Sequence, residues 1–329
     1  MDRISEMPSA FESVKTKLLN EFPSEKIQGL NTDRVVNFIR SEELQVKPFI
    51  IFDKEDLPKV QEIVGHTGLL RSAFSNGERG LYSPEMDLVL VLRDKEYEKT
   101  NGAIYTEGLL VHELAHASSM YSGYITPDNE KFYTARVGFC LSQNRKEWGW
   151  VLEEGWADMN RGNYVKKYAT VEEKDKLTRA LKFMTLDMDD TIPIRPFSGD
   201  FLPLPVKYFY VTPEGLPTTT PSAYAGFTLE SICKHDPNFA SVLVDSRKSV
   251  EGLRKFAAKI EKLNNGLYYE LQKSSYTEKS FSEKLSIVLS RVDGGIKNVI
   301  NAKGQLKDWW DSYFNRNQVL SGTGESDQK

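Results

Sequence analysis

The chain has 329 residues, 40% hydrophobic and 27% charged, with a formal net charge of -4. That is the balance of a folded chain with a sizeable core, and its acidity argues against a general nucleic-acid partner. No run approaches the roughly eighteen apolar residues of a membrane span, and Met1-Asp2-Arg3-Ile4-Ser5-Glu6 lacks the pattern of a signal peptide, so a cytoplasmic protein with no membrane partner is expected.

In chain order, residues 8–22 and 31–44 read as two helices, with Asn31-Thr32-Asp33 available to cap the second. Lys47-Pro48-Phe49-Ile50-Ile51-Phe52 reads as a strand, followed by a helix over 54–64. Arg79-Gly80-Leu81-Tyr82 and Asp87-Leu88-Val89-Leu90-Val91-Leu92 read as strands of a hairpin turned at Ser83-Pro84-Glu85-Met86. Residues 104–120 form an amphipathic helix carrying His112-Glu113-Leu114-Ala115-His116, and 150–166 form a second helix carrying Glu154-Gly155-Trp156-Ala157-Asp158. Thr170-Val171-Glu172-Glu173 matches a capping box opening a helix to about 185. Residues 190–222, with seven prolines, read as irregular, and helices return from Tyr224, including 249–264, 279–292 and 303–316. Trp309 and Trp310 are expected to dock the last helix, and a disordered tail follows from Ser321. Cys140 and Cys233 are too few for a disulfide framework and are expected as reduced thiols.

The chemistry lies in the two helices. Residues i and i+4 share a helix face, so His112 and His116 can point at one metal ion while Glu113 stands close enough to act on bound water. Glu154 is favoured as the third ligand, with Glu153 and Asp158 as alternatives, and a fourth position is left open for water or substrate. Asp158, four residues after Glu154, is placed to accept a hydrogen bond from a ligand imidazole, His112 in the first instance, while Glu153 is expected to face away. A third histidine close behind the motif is excluded, because Ser119 and Ser122 occupy the positions where the longer motif has glycine and histidine.

His112-Glu113-x-x-His116 followed by Glu154-x-x-x-Asp158 resembles the gluzincin metallopeptidases, the peptidase MA-like group with thermolysin-like and aminopeptidase-N-like members. The resemblance covers roughly residues 48–260 and is strongest at the metal. It implies Zn2+ held by His112, His116 and Glu154, with Glu113 as general base. It also implies an α+β, zincin-like catalytic domain: a small twisted sheet over the active-site helix, then a mainly helical lobe, with flanking helices. The expected divisions are an N-terminal helical segment, 1–47; an upper lobe with both metal-binding helices, 48–165; a helical lower lobe, 166–295; and a C-terminal helix and tail, 296–329. The resemblance implies that the Gly80 hairpin is the edge such enzymes pair with extended substrate, the alternative being an ordinary structural hairpin. Tyr224 resembles the tyrosine that aminopeptidase-N-like enzymes place after the zinc site, and is the favoured donor to the developing oxyanion ahead of His235, Tyr208 or Tyr210. His66 is given no role, and Arg136 and Arg195 are candidates for a substrate carboxylate. The expected activity is hydrolysis of peptide or protein substrates; the alternatives are a zinc hydrolase of a non-peptide amide or ester, and an inactive zinc-binding interaction protein.

Overall fold

The structure, a computed structural model, describes residues 9–23, 27–65, 74, 79–119, 121–125, 132–143, 146–181, 187–189, 191–194, 202–220, 222–263, 268 and 272. Two helices open it, α1 (Ser9–Glu21) and α2 (Thr32–Ser41), the second capped by the Asn31 side chain, which accepts from the Arg34 backbone N–H at 2.9 Å. Strand β1 (Phe49–Asp53) and helix α3 (Leu57–Val64) follow. Strands β2 (Gly80–Ser83) and β3 (Leu88–Arg93) pair antiparallel, and β1 pairs parallel with β3, so the order is β1-β3-β2 with β2 at an edge. The unbroken apolar run of β3 has a simple cause: the strand is buried on both faces. Val89 and Val91 face the main core with α2 and the helices beyond, whereas Leu88, Leu90 and Leu92 pack with Leu18 of α1 and Val60 and Val64 of α3.

Helix α4 (Lys95–Asn101) was not apparent in the sequence, because its residues are polar and only Asn101 is buried. The Asn101 amide explains its place: it donates to the Val211 carbonyl at 2.7 Å and accepts from the Val211 N–H at 2.7 Å, over a gap of 110 residues. Helix α5 (Ile104–Ala117) is buried along nearly its whole length and packs against β2, β3, α2 and α4.

Between α5 and the next long helix stands an antiparallel meander that the sequence did not announce: β4 (Tyr121–Ile125), β5 (Phe132–Val137), β6 (Cys140–Gln143) and β7 (Lys146–Trp148). Strands this short offer little periodicity to read. Helices α6 (Trp150–Tyr168) and α7 (Val171–Ala180) follow, the latter with the Thr170–Glu173 capping box formed. The stretch expected to be irregular holds two hairpins instead, β8 (Thr191–Ile194) with β9 (Leu202–Pro205), and β10 (Phe209–Val211) with β11 (Pro217–Thr219). Among the described residues each is two-stranded, leaving every strand an open edge where a residue without an N–H is tolerated; Pro193, Pro203, Pro205 and Pro217 sit in these strands.

Helices α8 (Ala223–His235), α9 (Pro237–Lys248) and α10 (Val250–Leu263) complete the described chain, with Asp236 capping α9. Gly155 of α6 lets α8 approach closely, since a Cβ there would lie 2.5 Å from the Cβ of Ala225. The expected helices at 279–292 and 303–316, Trp309, Trp310 and the tail lie outside the described residues. The architecture is α+β, and one apolar cluster runs from Val35 through α5, α6 and α8 to Ile260, crossing the expected divisions near residues 47 and 165. No described helix is long and apolar enough to cross a membrane.

Candidate metal centre

Helices α5 and α6 run in opposite directions, so their contacts step along the pair. His116 meets Glu153, His112 meets Glu154 and Asp158, the stem of Arg161 passes Gly108, and Tyr164 donates to Glu107. Two histidines one turn apart on α5 therefore face two carboxylates one turn apart on α6.

The three expected ligands converge. His112 Nε2 lies 3.2 Å from Glu154 Oε2, His116 Nε2 lies 3.2 Å from Glu154 Oε1, and the two Nε2 atoms are 3.2 Å apart. Donors about 2.0–2.1 Å from a tetrahedral zinc lie roughly 3.3 Å from one another, so this spacing fits the ion. His112, His116 and Glu154 are the one group of metal-donor side chains so gathered among the described residues. The chemistry of the set agrees: two imidazoles and one carboxylate, with the Nδ1 atoms already engaged elsewhere.

Each Nδ1 has its own carboxylate. Asp158 Oδ1 lies 3.2 Å from His112 Nδ1, and Asp158 also accepts from the hydroxyls of Thr220 and Ser222, which the β10–β11 hairpin and the start of α8 bring in. Glu153 Oε1 lies 3.2 Å from His116 Nδ1. This corrects the expectation that Glu153 faces away. Glu153 and Glu154 are about 100° apart around α6, enough for one to reach the ligand nitrogen and the other to reach the far side of the same ring. Glu153 is fully buried and takes 2.8 Å and 3.4 Å hydrogen bonds from Arg247, one of 2.7 Å from Ser119 and one of 3.0 Å from the Phe139 backbone. Arg247 of α9 in turn donates to the Ala115 carbonyl at 2.7 Å. The sequence offered no signal for Arg247, which reaches the site from 94 residues beyond Glu153.

Burial opposes charge on both imidazoles, but hydrogen bonds and charges from Asp158 and Glu154 outweigh it and raise His112 to about 9. His116 is raised in the same way by Glu154 and Glu153. Burial likewise favours a protonated Glu154, yet His116 and His112 hold it at about 2. Asp158 is held well below the usual carboxylate range by His112 and Arg161 against its burial, and Glu153 by Arg247 and His116. These carboxylates stay ionised at neutral pH. Without a metal they retain protons on the imidazoles, and a divalent cation binding there displaces those protons.

Glu113 is not among the converging donors. Its carboxylate packs on Gly80 at the start of the edge strand β2, where a Cβ would lie 2.3 Å from Oε1 and 2.7 Å from Cγ. A side chain at position 80 would displace that carboxylate. Trp150, 43% exposed, lies parallel to the His116 ring with centroids 6.3 Å apart, giving the site an aromatic rim. The side chains of His112 and Glu154 are 12% and 17% exposed, so the largely buried centre keeps slight contact with solvent.

Among the described residues, Tyr224, Tyr208 and Tyr210 make no hydrogen bond to the three converging donors. Tyr224 lies in the main core, and its buried hydroxyl finds no hydrogen-bond partner among the described residues, although Ser222 two positions earlier reaches Asp158. The Tyr208 hydroxyl donates to Glu230 at 3.0 Å. Tyr210 packs against Tyr97 and Tyr105. The side chains of His235 and Arg136, and the residues His66 and Arg195, lie outside what is described. Neither Cys140 nor Cys233 is part of a disulfide. No protein-family model, curated protein or solved structure matches the chain.

Proposed function

We propose that the protein is a zinc-dependent peptidase of the gluzincin type, built on a zincin-like catalytic domain. The observation that carries the reading is the convergence of His112, His116 and Glu154 at tetrahedral spacing, with Glu113 next to His112 in sequence and outside the donor set. Structural zinc sites ordinarily use four protein ligands, whereas three leave a position for reaction. When bound, zinc supplies a Lewis acid that acidifies water and polarises a carbonyl.

The chain's own groups do the rest. Asp158 and Glu153 fix each imidazole by its Nδ1, so that Nε2 is the atom turned to the cation. Glu113, held against Gly80, takes the proton of the attacking water and returns it to the leaving amine. Strand β2 has β3 on one side and no further strand on the other among the described residues, so an extended peptide can add there through backbone hydrogen bonds. The sheet lying on α5, with α6 antiparallel beside it, supports the zincin-like reading.

The test is cleavage of a peptide library by the full chain before and after chelation. Cleavage is expected to vanish on chelation and to return with one equivalent of zinc. Cleavage that survives chelation, or none across the library in the zinc-loaded protein, would sink the proposal.

A further inference from the structure

Two turns along α6 from Glu154, the pair of helices carries a second cluster, unlike the first. Arg161 is a buried residue whose side chain is 10% exposed, yet among the described residues its guanidinium makes a single hydrogen bond, a long one of 3.5 Å to Asp158 Oδ1. A guanidinium has five N–H donors, and none of Arg161's is both sealed from solvent and unpaired, so most stay open to a ligand. Arg247, comparably buried, shows ordinary pairing, with a 2.8 Å contact to Glu153 and further bonds to Ala115 and Ser119. Asp158 is itself already engaged by His112, Thr220 and Ser222, so it serves Arg161 only in part.

Tyrosines surround the guanidinium. Arg161 lies over the Tyr210 ring at 5.1 Å, Tyr210 packs on Tyr105 at 5.6 Å and on Tyr97 at 6.0 Å, and Tyr97 and Tyr105 stack at 4.9 Å. Arg79 closes the other side, 4.2 Å over the Tyr97 ring and 3.4 Å from Asp94. None of the three tyrosine hydroxyls makes a hydrogen bond among the described residues. The arrangement is held deliberately, since the paired hydrogen bonds between Asn101 and Val211 fix Tyr210 against α4.

We propose that Arg161 and Arg79, laid on the faces of Tyr210 and Tyr97, form a subsite that binds a carboxylate of the substrate. The stem of Arg161 runs past Gly108, one helical turn from His112, which sets this subsite about 6 Å along α5 from the metal ligands. A carboxylate suits it because a planar anion accepts two parallel N–H bonds from a guanidinium, with the phenols donating to its remaining lone pairs. Arg79 adjoins Gly80, so the subsite abuts the start of the edge strand on which Glu113 rests. The proposal rests on the peptidase reading for the identity of the ligand's parent molecule.

The carboxylate can be a peptide's C-terminus or an acidic side chain, and two matched probe pairs separate these sources. Calorimetry on the metal-free full chain would compare N-acetylglycine with N-acetylglycinamide, and N-acetylglutamate α-amide with N-acetylglutamine α-amide. Using metal-free protein keeps the metal from contributing to carboxylate binding. One pair is expected to show at least about a tenfold preference for the carboxylate, lost in Arg161→Met and in Arg79→Met and partly kept in Arg161→Lys. The pair that discriminates names the source. Equal binding of acid and amide in both pairs overturns the proposal, as does a preference that persists in the methionine variants. If circular dichroism shows Arg161→Met unfolded, Arg79→Met decides, Arg79 being the more exposed of the two at 29%. Failure of zinc-dependent cleavage would strike the peptidase reading while leaving this binding measurement intact, and loss of carboxylate preference with cleavage intact would do the reverse.

Discussion

Behind His116, Glu153 is wholly buried and takes hydrogen bonds from Arg247, Ser119 and the Phe139 backbone. Farther along the same helix pair, Arg161 is nearly as buried but has one long bond, and the phenols around it have none among the described residues. The first region is a closed network whose charges are spent on one another. The second keeps its donors in reserve. A scaffold that fixes catalytic groups needs the former, and a surface that receives a polar ligand needs the latter. His112 stands between them, its Asp158 shared by the closed network and by Arg161.

Breaking the closed end should cost most. Glu153→Gln strips the buried Arg247 of its counter-charge, and removing one partner of such a pair costs about 3–5 kcal/mol, read as a loss of unfolding free energy in urea. A variant as stable as the wild type would mean that Arg247 is neutralised elsewhere. Gly80→Ala should push the Glu113 carboxylate off its seat, lowering kcat by roughly 100-fold while zinc affinity holds, because a misplacement of about 1 Å in a reacting group has that scale of effect. Undiminished turnover would detach Glu113 from the edge strand. Asp158→Asn should weaken zinc binding by about 10- to 100-fold in a chelator competition, with a smaller loss of stability than Glu153→Gln, since its cationic neighbour Arg161 is reached only at 3.5 Å. Equal destabilisation by the two variants would erase the contrast between the ends.

The smallest effect is one of pH. In the metal-free protein, His112 is raised above the ordinary histidine value, so its pairing contributes fully below about 6.5 and is lost as pH rises through about 9. Glu154 is depressed, so its contribution is present above about 4.3 and is lost as pH falls through about 2. Chelated protein should therefore melt at progressively lower temperature between neutrality and pH of about 10, whereas zinc-loaded protein, with its imidazoles already neutral, should lack that step. Parallel curves for the two forms would argue against the metal displacing those protons.

Much of the metal end was legible because its geometry is local. A spacing of four on a helix fixes a shared face, and this alone places His112 with His116 and Glu154 with Asp158. What escaped was set by helix crossing and by chain returning from afar. On α6 taken alone Glu153 is expected to face away, and its role appears only once α5 lies beside α6. Arg247 and the Thr220–Ser222 hydroxyls arrive from distant segments with no motif of their own. The fold shows the same division. Capped helices such as α2 and α7 and the doubly buried β3 announced themselves, while polar α4 and the short strands β4 to β7 carried too little periodicity to register. Tyr224 rests on resemblance alone, and its buried hydroxyl has no hydrogen-bond partner among the described residues.

The most direct test of the central claim compares wild type with Glu113→Gln, each brought to one zinc per chain, on the same peptide library. The two should bind zinc alike, because Glu113 is not one of the converging donors. Cleavage should fall by about 100- to 10,000-fold in the variant, the range for removal of a positioned general base. Equal cleavage by the two zinc-loaded proteins, or loss of zinc from the variant, would contradict the assignment of metal binding to His112, His116 and Glu154 and of proton transfer to Glu113.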